Sequence, residues 1–309
     1  MVTPNLSAPI VLQAAQAVAG DQHYPAGALY VVATPIGNLG DITLRALQVL
    51  SLVDAVACED TRHTAPLLRA YGLDRPLLSV HEHNEAEAAA DIVRRLRQGE
   101  RIAYVSDAGT PGVSDPGARL CLAVQRAGLR CMPLPGASSI TALLSVAGLA
   151  TAASEGPAFE FTGFLPPKGA NRQAALRRLA QQAHACVLLE APHRIVSLAQ
   201  DLAALGQRVV TLGRELTKQF EEIATLPCAD LPVWLASREH RCRGEFALVL
   251  HPVIPAASSR SGGLDGESLR VLALLLQELP VKSAARLGAE ITGAPRNALY
   301  AAALDLKKA

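Results

Sequence analysis

The stretch 101-RIAYVSDAGTPGVSDPG-117 decides which class of fold this chain adopts. Its first residues have the pattern of a buried strand, and the rest consists almost entirely of Gly, Pro, Ser, Thr, Ala and Asp. This loop is longer than a minimal β-α turn, and its small side chains let the backbone approach a ligand closely. Residues 107–117 therefore predict a ligand cradle at the end of a strand.

The cradle belongs to a repeating β-α pattern. Four further strands are predicted in the same half of the chain, at 29–35, 55–60, 77–83 and 130–135, with helical periodicity between them. Such alternation predicts a mainly parallel sheet, in which ligands bind at the carboxyl ends of the strands. Polar or Gly/Pro-rich segments follow these four strands as well, at 34–43, 59–64, 81–85 and 135–139. Five such endings on one edge predict a binding site there.

A second α/β series follows the first. Its strands are predicted near 159–165, 185–191, 208–216 and 245–250, and charged segments after them can face the first polar edge across a cleft. The fold class expected is α/β, with two α/β domains, a cleft between them and a small C-terminal helical module. The expected division is a flexible leader at 1–27, domains at 28–150 and 151–252, a linker at 253–266 and the helical module at 267–309.

Composition narrows the functional classes. The net charge of +1 gives no global basic field for nucleic acid, so a polyanion would have to meet local basic clusters such as 94–101, 168–179 and 238–243. The six cysteines form no C-x-x-C pair, which favours apolar fillers in a reduced, cytoplasmic compartment. No segment has the length and apolarity of a membrane span, so no membrane partner is expected.

Two common ligand classes are disfavoured by the motifs. The cradle matches neither G-x-G-x-x-G nor G-x-x-x-x-G-K-S/T, which argues against a site for a dinucleotide or a polyphosphate. A small zwitterionic or nucleoside ligand fits the cradle better. His81 and His83 fall on one face of a strand as a metal pair would, but no further Cys or His lies at ligand spacing. No metal site is therefore predicted.

The chain resembles a known family. The segments that carry the resemblance are 33-ATPIGNLGDIT-43, 57-ACEDTRHT-64, 82-EHNE-85, 106-SDAGTPGVSDPG-117, 162-TGFLPPKGANR-172, 189-LEAPHR-194, 214-RELTKQFEE-222 and 280-PVKSAARLGAEITGAPRNALY-300. In this order they are similar to the small-subunit ribosomal RNA methyltransferase I family. The resemblance implies S-adenosylmethionine-dependent methylation of a ribose 2′-hydroxyl of a decoding-centre cytidine in 16S rRNA, within the 30S subunit. It also implies the tetrapyrrole-methylase (class III methyltransferase) fold, with the methyl donor between two α/β domains, and a homodimer.

The resemblance also implies which residues bind the donor. The cradle backbone at Ala108, Gly109, Thr110 and Val113 would hold its amino-acid end. The other residues implied are Ser138 and Ser139 beside the adenosine, Glu190 and Leu216 from the second domain, and Pro35 on the opposite wall. The pair Ser138-Ser139 departs from the residues expected after Pro-Gly in relatives.

A base must accept the hydroxyl proton during or after methyl transfer. Asp60 and Lys218 are the candidates, since both follow strands that face the expected cleft; Glu59, His83 and His193 are the reserves. For Asp60 a helix N-cap is an equally good interpretation, and for Lys218 the alternative is a phosphate contact.

Two other functions stay open at this point. One is methylation of a tetrapyrrole such as a precorrin or uroporphyrinogen by the same fold, which would not need the basic helical C-terminal segment. The other is a non-catalytic nucleotide-sensing or RNA-chaperone protein that keeps the cradle without turnover. Donor binding without transfer would indicate the latter.

Overall fold

The structure, a computed structural model, describes residues 8–81, 84–114, 117–149, 158–253, 264 and 266–306. The chain divides into two compact units, Met1–Pro252 and Val253–Ala309. The first unit contains both sheets, and the second consists of helices.

The first sheet has five parallel strands. They are β1 (Ala28–Val32), β2 (Ala55–Cys58), β3 (Leu77–Ser79), β4 (Ile102–Val105) and β5 (Arg130–Leu134). The order across the sheet is β3-β2-β4-β1-β5. All four residues of β2 and of β4 are buried, as expected for parallel strands covered by helices on both faces.

The helices that connect these strands are α2 (Leu44–Leu52), α3 (Thr61–Ala70), α4 (Glu85–Arg97) and α5 (Ala118–Arg126). Helix α6 (Ser139–Val146) follows β5. The two-residue period of β4 divides its side chains between two cores. Ala103 packs in the cluster that contains residues of α2, whereas Tyr104 packs with residues of α4 and α5.

The second sheet is mixed. Its strands are β6 (Phe159–Gly163), β7 (Ala185–Glu190), β8 (Val209–Arg214), β9 (Glu222–Pro227) and β10 (Phe246–Leu250), in the order β6-β7-β10-β8-β9. Only β6 and β7 are parallel; the other three pairs are antiparallel. Strand β9 was not predicted, because it follows a charged segment and is a half-exposed edge strand.

Helices α7 (Gly169–Gln181), α8 (Ile195–Ala203) and α9 (Leu231–Ala236) belong to this second half. Helix α6 packs on the second sheet, with Ile140 and Leu143 in one core cluster with Val187 and Ala247. This contact joins the carboxyl edge of the first sheet to the second sheet, which fixes the two halves around a common cleft.

Part of the expected leader, residues 8–19, is an ordered helix. Ala8–Ala19 form helix α1, in which Ala15 and Ala19 are buried. The Gln48 side chain of α2 donates a hydrogen bond from Nε2 to Gln16 Oε1 at 2.9 Å. Because alanines pack closely and favour helix, this short apolar segment covers the first core instead of remaining unstructured.

The second unit consists of α10 (Gly266–Glu278), α11 (Val281–Thr292) and α12 (Arg296–Leu306). The sequence predicts a helical module for this segment, and the structure forms it from three helices. Leu272, Ala284 and Leu299, one from each helix, form a small core. The unit therefore has an apolar core of its own.

The cysteines are free thiols, and Cys58, Cys186 and Cys228 are buried. Burial raises the pKa of Cys228 to about 11, so this thiol stays protonated and acts as an apolar filler. Across the described part of the chain, no helix has the length and apolarity needed to cross a bilayer.

Candidate active site

The site lies where the chain connections of the first sheet change direction. Strands β1 and β4 are neighbours, but the chain leaves β1 toward β2 and leaves β4 toward β5 on the opposite side. The two connections therefore run in opposite directions across the sheet, and the carboxyl ends of strands at such a switch point are where α/β sheets bind ligands.

Two backbone hydrogen bonds join the segments after β1 and β4 at this switch point. Thr34 N donates to Gly109 O at 2.9 Å, and Gly109 N donates to Thr34 O at 3.0 Å. Gly109 has φ +83°, a conformation that residues with a side chain rarely adopt. A Cβ on Gly109 would also lie 3.2 Å from Ile36 Cγ2. The cradle thus needs glycine both for its backbone angle and for the close approach of Ile36.

The loop after β5 completes the edge. Thr110 Oγ1 donates to the carbonyl of Ala137 at 3.1 Å, which ties this loop to the cradle. A Cβ on Gly136 would lie 2.8 Å from Ala33 Cβ, so the loops after β5 and β1 approach each other closely. Ser138 is the N-cap residue of α6. Three strand ends are therefore joined into one surface.

This surface and the second sheet enclose a cavity of about 370 Å³. Its lining from the first half is Ile36, Ala108, Gly109, Thr110, Val113, Ser114, Ser138, Ser139 and Ile140. Its lining from the second half is Phe164, Leu189, Glu190, Ala191, Pro192, Leu216, Glu245, Phe246 and Ala247. The volume lies within the range of small-molecule sites, about 300–1,000 Å³.

The structure brings most of the predicted donor residues together. Eight of the nine line the cavity: Ala108, Gly109, Thr110, Val113, Ser138, Ser139, Glu190 and Leu216. Pro35 is absent from the lining, and its neighbour Ile36 takes that place. The sequence interpretation missed Phe164, Glu245 and Phe246, which come from the ends of second-half strands. Their position at strand ends is the signal that could have identified them.

Glu190 has an incompletely satisfied carboxylate in this cavity. The residue is 2% exposed. Its Oε1 accepts from Ala191 N at 3.0 Å and pairs with Arg194 Nε at 3.0 Å. Within the described residues, its Oε2 is buried and has no hydrogen-bond partner. Because buried polar atoms are nearly always paired, Oε2 is an acceptor available to a ligand.

Leu216 lies in a strained turn. Its neighbours Glu215 and Thr217 have φ of +52° and +67°, although neither is glycine. Such conformations cost about 1–3 kcal/mol each and cluster at functional sites. Here the turn presents Leu216 to the cavity.

Lys218 lies at the rim, paired with two carboxylates. Its Nζ lies 2.8 Å from Glu215 Oε1 and 2.9 Å from Glu245 Oε2, and Glu245 lines the cavity. Partial burial lowers the pKa of Lys218, but the hydrogen bonds to Glu215 and Glu245 outweigh burial, so the pKa is raised. The amine stays protonated at neutral pH and is a poor proton acceptor.

Asp60 is the N-cap of α3 and is absent from the cavity lining. Its Oδ1 accepts from Arg62 N at 2.8 Å, and its Oδ2 pairs with Arg62 Nη2 at 2.6 Å. The hydrogen bonds from the Arg62 side chain and backbone lower the pKa of Asp60 to about 2. A carboxylate with such a low pKa is a weak base, so these contacts favour the capping interpretation.

A histidine-carboxylate pair lies beside the cradle and was missed by the sequence interpretation. His63 Nδ1 is 3.0 Å from Asp107 Oδ2, and Asp107 directly precedes the cradle residue Ala108. The hydrogen bond and the negative charge of Asp107 raise the pKa of His63. His63 lies in the segment EDTRHT after β2, so its position after a strand was the available signal.

The reserve candidates are not brought to the cavity. His193 is exposed and Glu59 is half-buried, and neither residue lines the cavity. His83 lies outside the described residues. Over the described ranges, no three His, Cys, Asp or Glu side chains are placed to hold a metal ion.

Two family models match the chain. The model described as Tetrapyrrole (Corrin/Porphyrin) Methylases matches residues 28–232, which contain most of the cavity lining. The model described as RsmI C-terminal HTH domain matches residues 262–307, which contain α10, α11 and α12. The two matches together extend over both compact units.

Solved structures support the same fold. Cobalt precorrin-4 methyltransferase superposes with a TM-score of 0.55 at 18% identity, covering 74% of this chain and 98% of that one. Diphthine synthase gives a TM-score of 0.55 at 15% identity over 72% of this chain and 90% of the other. Likeness at this identity shows the architecture of the two sheets.

Curated relatives are more similar in sequence. A protein of Pseudomonas aeruginosa named Ribosomal RNA small subunit methyltransferase I is 46% identical over 91% of this chain and 98% of its own length. Proteins of the same name from Neisseria meningitidis and Escherichia coli are 46% and 43% identical, over 91% and 90% of this chain and 94% and 95% of theirs. The chain therefore belongs to the tetrapyrrole methylase family and, within it, to the ribosomal RNA small subunit methyltransferase I family.

Proposed function

We propose that this protein transfers a methyl group from S-adenosylmethionine to the ribose 2′-hydroxyl of a cytidine in the decoding centre of 16S rRNA. The observation that carries the proposal is the cavity between the two sheets, lined by eight residues implied as donor ligands. Relatives with the name of an rRNA small subunit methyltransferase, at 41–46% identity over about 90% of the chain, support the choice of substrate.

The lining fits the methyl donor. Apolar walls from Ile36, Leu189 and Phe246 suit an adenine ring, and the Gly109 cradle exposes backbone without a side chain. The buried Glu190 Oε2 lacks a partner among the described residues, and the ammonium or hydroxyl groups of the donor would satisfy it. When bound, S-adenosylmethionine supplies a sulfonium methyl group that an oxygen nucleophile can displace.

The protein's own task is alignment and exclusion of water. In this proposal the backbone at Ala108, Gly109, Thr110 and Val113 holds the amino-acid end of the donor. Ser138 and Ser139 lie by its adenosine, Glu190 and Leu216 close the site from the second half, and Ile36 forms the wall expected from Pro35. Holding two reactants in line for displacement supplies much of the rate enhancement, because the entropy cost is met on binding.

The proton acceptor in this proposal is His63. Asp60 and Lys218 were the predicted bases, but their pKa values disfavour them in that role. His63 is also absent from the cavity lining, but Asp107, which directly precedes the lining residue Ala108, holds its Nδ1 beside the cradle. The His63 ring is 65% exposed, so Nε2 is the nitrogen that can accept the hydroxyl proton. Lys218 then acts as a fixed cation that orders Glu215 and Glu245 at the rim.

A ribosomal substrate leads to expectations for the location, the RNA contacts and the oligomeric state of the enzyme. The enzyme would act in the cytoplasm, on the small subunit or its precursor, with the C-terminal helical unit helping to bind RNA. The homodimer implied by the family resemblance stays a prediction, which light scattering coupled to size-exclusion chromatography can test.

Transfer of tritium from labelled S-adenosylmethionine tests the function. The acceptors are 30S subunits from a strain that lacks the endogenous enzyme, methylated wild-type subunits, and a precorrin or uroporphyrinogen. We expect label only in the methyl-deficient subunits. Label in the tetrapyrrole, or donor binding without transfer to any acceptor, would contradict the proposal.

A further inference from the structure

A second cavity of about 360 Å³ lies next to the proposed donor cavity. Its lining is Thr162, Phe164, Leu165, Pro166, Ala174, Ala175 and Arg178. Phe164 lines both cavities, so a ligand in the second cavity would lie one aromatic ring away from the donor site. The donor proposal does not use this second cavity.

Phe164 is an exposed aromatic residue on the wall of both cavities. Its exposed fraction is 52%, and it follows β6 in the segment that leads to α7. An exposed aromatic ring beside a cavity is the platform on which proteins stack unpaired nucleobases.

Thr162 supplies a polar group on the wall of this cavity. Its Oγ1 is shielded from solvent and has no hydrogen-bond partner within the described residues. A hydroxyl can both donate and accept, so it can pair with the edge of a nucleobase. A buried hydroxyl without a partner on a cavity wall indicates a ligand with hydrogen-bonding groups on its rim.

The surrounding charge is positive. Helix α7 contains Arg172, Arg177 and Arg178, its N-cap is Lys168, and it has no Asp or Glu. Arg172 is buried against Asp201, and Arg178 pairs with Glu160 at the cavity wall. Lys168 and Arg177 are exposed, and no ion pair involves either of them in the described part of the chain. These two cations are available to phosphates.

We propose that this second cavity binds one unpaired nucleotide of the substrate RNA strand. Its base stacks on Phe164, the base edge pairs with Thr162 Oγ1, and Lys168 and Arg177 contact the flanking phosphates. The site thereby holds the strand beside the donor cavity. This inference rests on the proposed function, since it assigns the position of the RNA.

Anisotropy of a fluorescent, short single-stranded RNA oligonucleotide of mixed sequence tests the site in the full-length protein. The variants are Thr162→Val, which keeps the shape of the side chain, and Lys168→Glu with Arg177→Glu. The matched control is Arg126→Glu with Arg130→Glu, which makes a similar charge change on exposed residues at the amino end of β5, opposite the site edge. Calorimetry with S-adenosylmethionine is the control for folding: each variant should bind the donor with the affinity of the wild-type protein.

We expect the Lys168/Arg177 variant to bind the oligonucleotide about tenfold more weakly than the control variant, with a smaller salt dependence. Thr162→Val should lose about fivefold, because one hydrogen bond is removed. The inference is overturned if both variants bind within about twofold of the control. If the variants bind the oligonucleotide as expected but wild-type protein transfers no methyl group to 30S subunits, only the proposed function is refuted. Normal transfer with an unchanged KM for subunits in both variants would refute this site alone.

Discussion

Gly109 approaches Ile36 so closely that a Cβ on the glycine would lie 3.2 Å from Ile36 Cγ2. The contact brings together the loops after β4 and β1 at the switch point of the first sheet. Both residues line the proposed donor cavity, so a side chain at position 109 would press on Ile36 and change the shape of the cavity wall.

Gly109→Arg should abolish S-adenosylmethionine binding, because the new side chain would fill the cradle. Gly109→Ala should destabilise the fold by about 1–2 kcal/mol through its left-handed backbone and should also weaken donor binding. Gly112→Ala is the matched control, since Gly112 has φ +79° with nothing within 4 Å of an added Cβ. Calorimetric donor affinity should fall for Gly109→Ala and stay near wild type for Gly112→Ala; equal affinities would argue against this cradle.

Glu190→Gln should weaken donor binding by about tenfold, because a hydrogen bond to a charged acceptor is worth about 1.5–3 kcal/mol. Glu222→Gln is the control: Glu222 also pairs with an arginine, Arg241, but it lies on β9 and is absent from the cavity lining. Calorimetry compares the two variants. Unchanged donor affinity in Glu190→Gln would contradict the role of the unpaired Oε2.

The pH dependence of methyl transfer should follow His63. Asp107 raises the pKa of His63 above its ordinary value of 6.5, and an acceptor works only after it has lost its proton. The rate should therefore rise with pH through this pKa. Asp107→Asn removes the stabilising charge, so the midpoint of the pH-rate profile and of the His63 NMR titration should both move to lower pH. A profile that is unaffected by His63→Gln would rule out this acceptor.

Deleting residues 1–20 should lower the free energy of unfolding by about 2 kcal/mol or more, because the surface covered by Ala15 and Ala19 becomes exposed. Deleting residues 1–7 leaves α1 whole and serves as the control. Urea titration measures both. If the longer deletion is as stable as wild type, the packing of α1 on α2 contributes nothing.

Removal of residues 253–309 should leave donor affinity unchanged, because the cavity is built entirely from the first compact unit. Methyl transfer to 30S subunits should fall, mainly through a higher KM. Full-rate modification by the truncated enzyme would exclude an RNA-binding role for the helical unit.

The sequence predicted most of the fold because alternating strands and amphipathic helices leave clear patterns. It missed β9, whose half-exposed edge position interrupts the apolar pattern, and α1, whose stability depends on packing against α2. Neither tertiary contact can be derived from local periodicity.

The sequence predicted the cradle of the site but not the proton acceptor, and the reason is again that tertiary contacts leave no local pattern. Small residues of the cradle indicate a ligand directly, since a long loop of Gly, Pro and Ser has few other uses. The sequence predicted Asp60 and Lys218 as catalytic bases. Only the structure shows that Asp60 forms an ion pair with Arg62 and that Lys218 forms ion pairs with Glu215 and Glu245. The partnership of His63 with Asp107 joins residues far apart in sequence, so no local motif encodes it.

Nucleoside mass spectrometry of 16S rRNA is the most direct test of the central claim. Methyl-deficient 30S subunits are incubated with the protein and S-adenosylmethionine that carries an isotopically labelled methyl group, and the rRNA is digested to nucleosides. We predict that the label appears in 2′-O-methylcytidine from a decoding-centre fragment. Label on a nucleobase, label in another region of the rRNA, or no label in RNA at all would contradict the account.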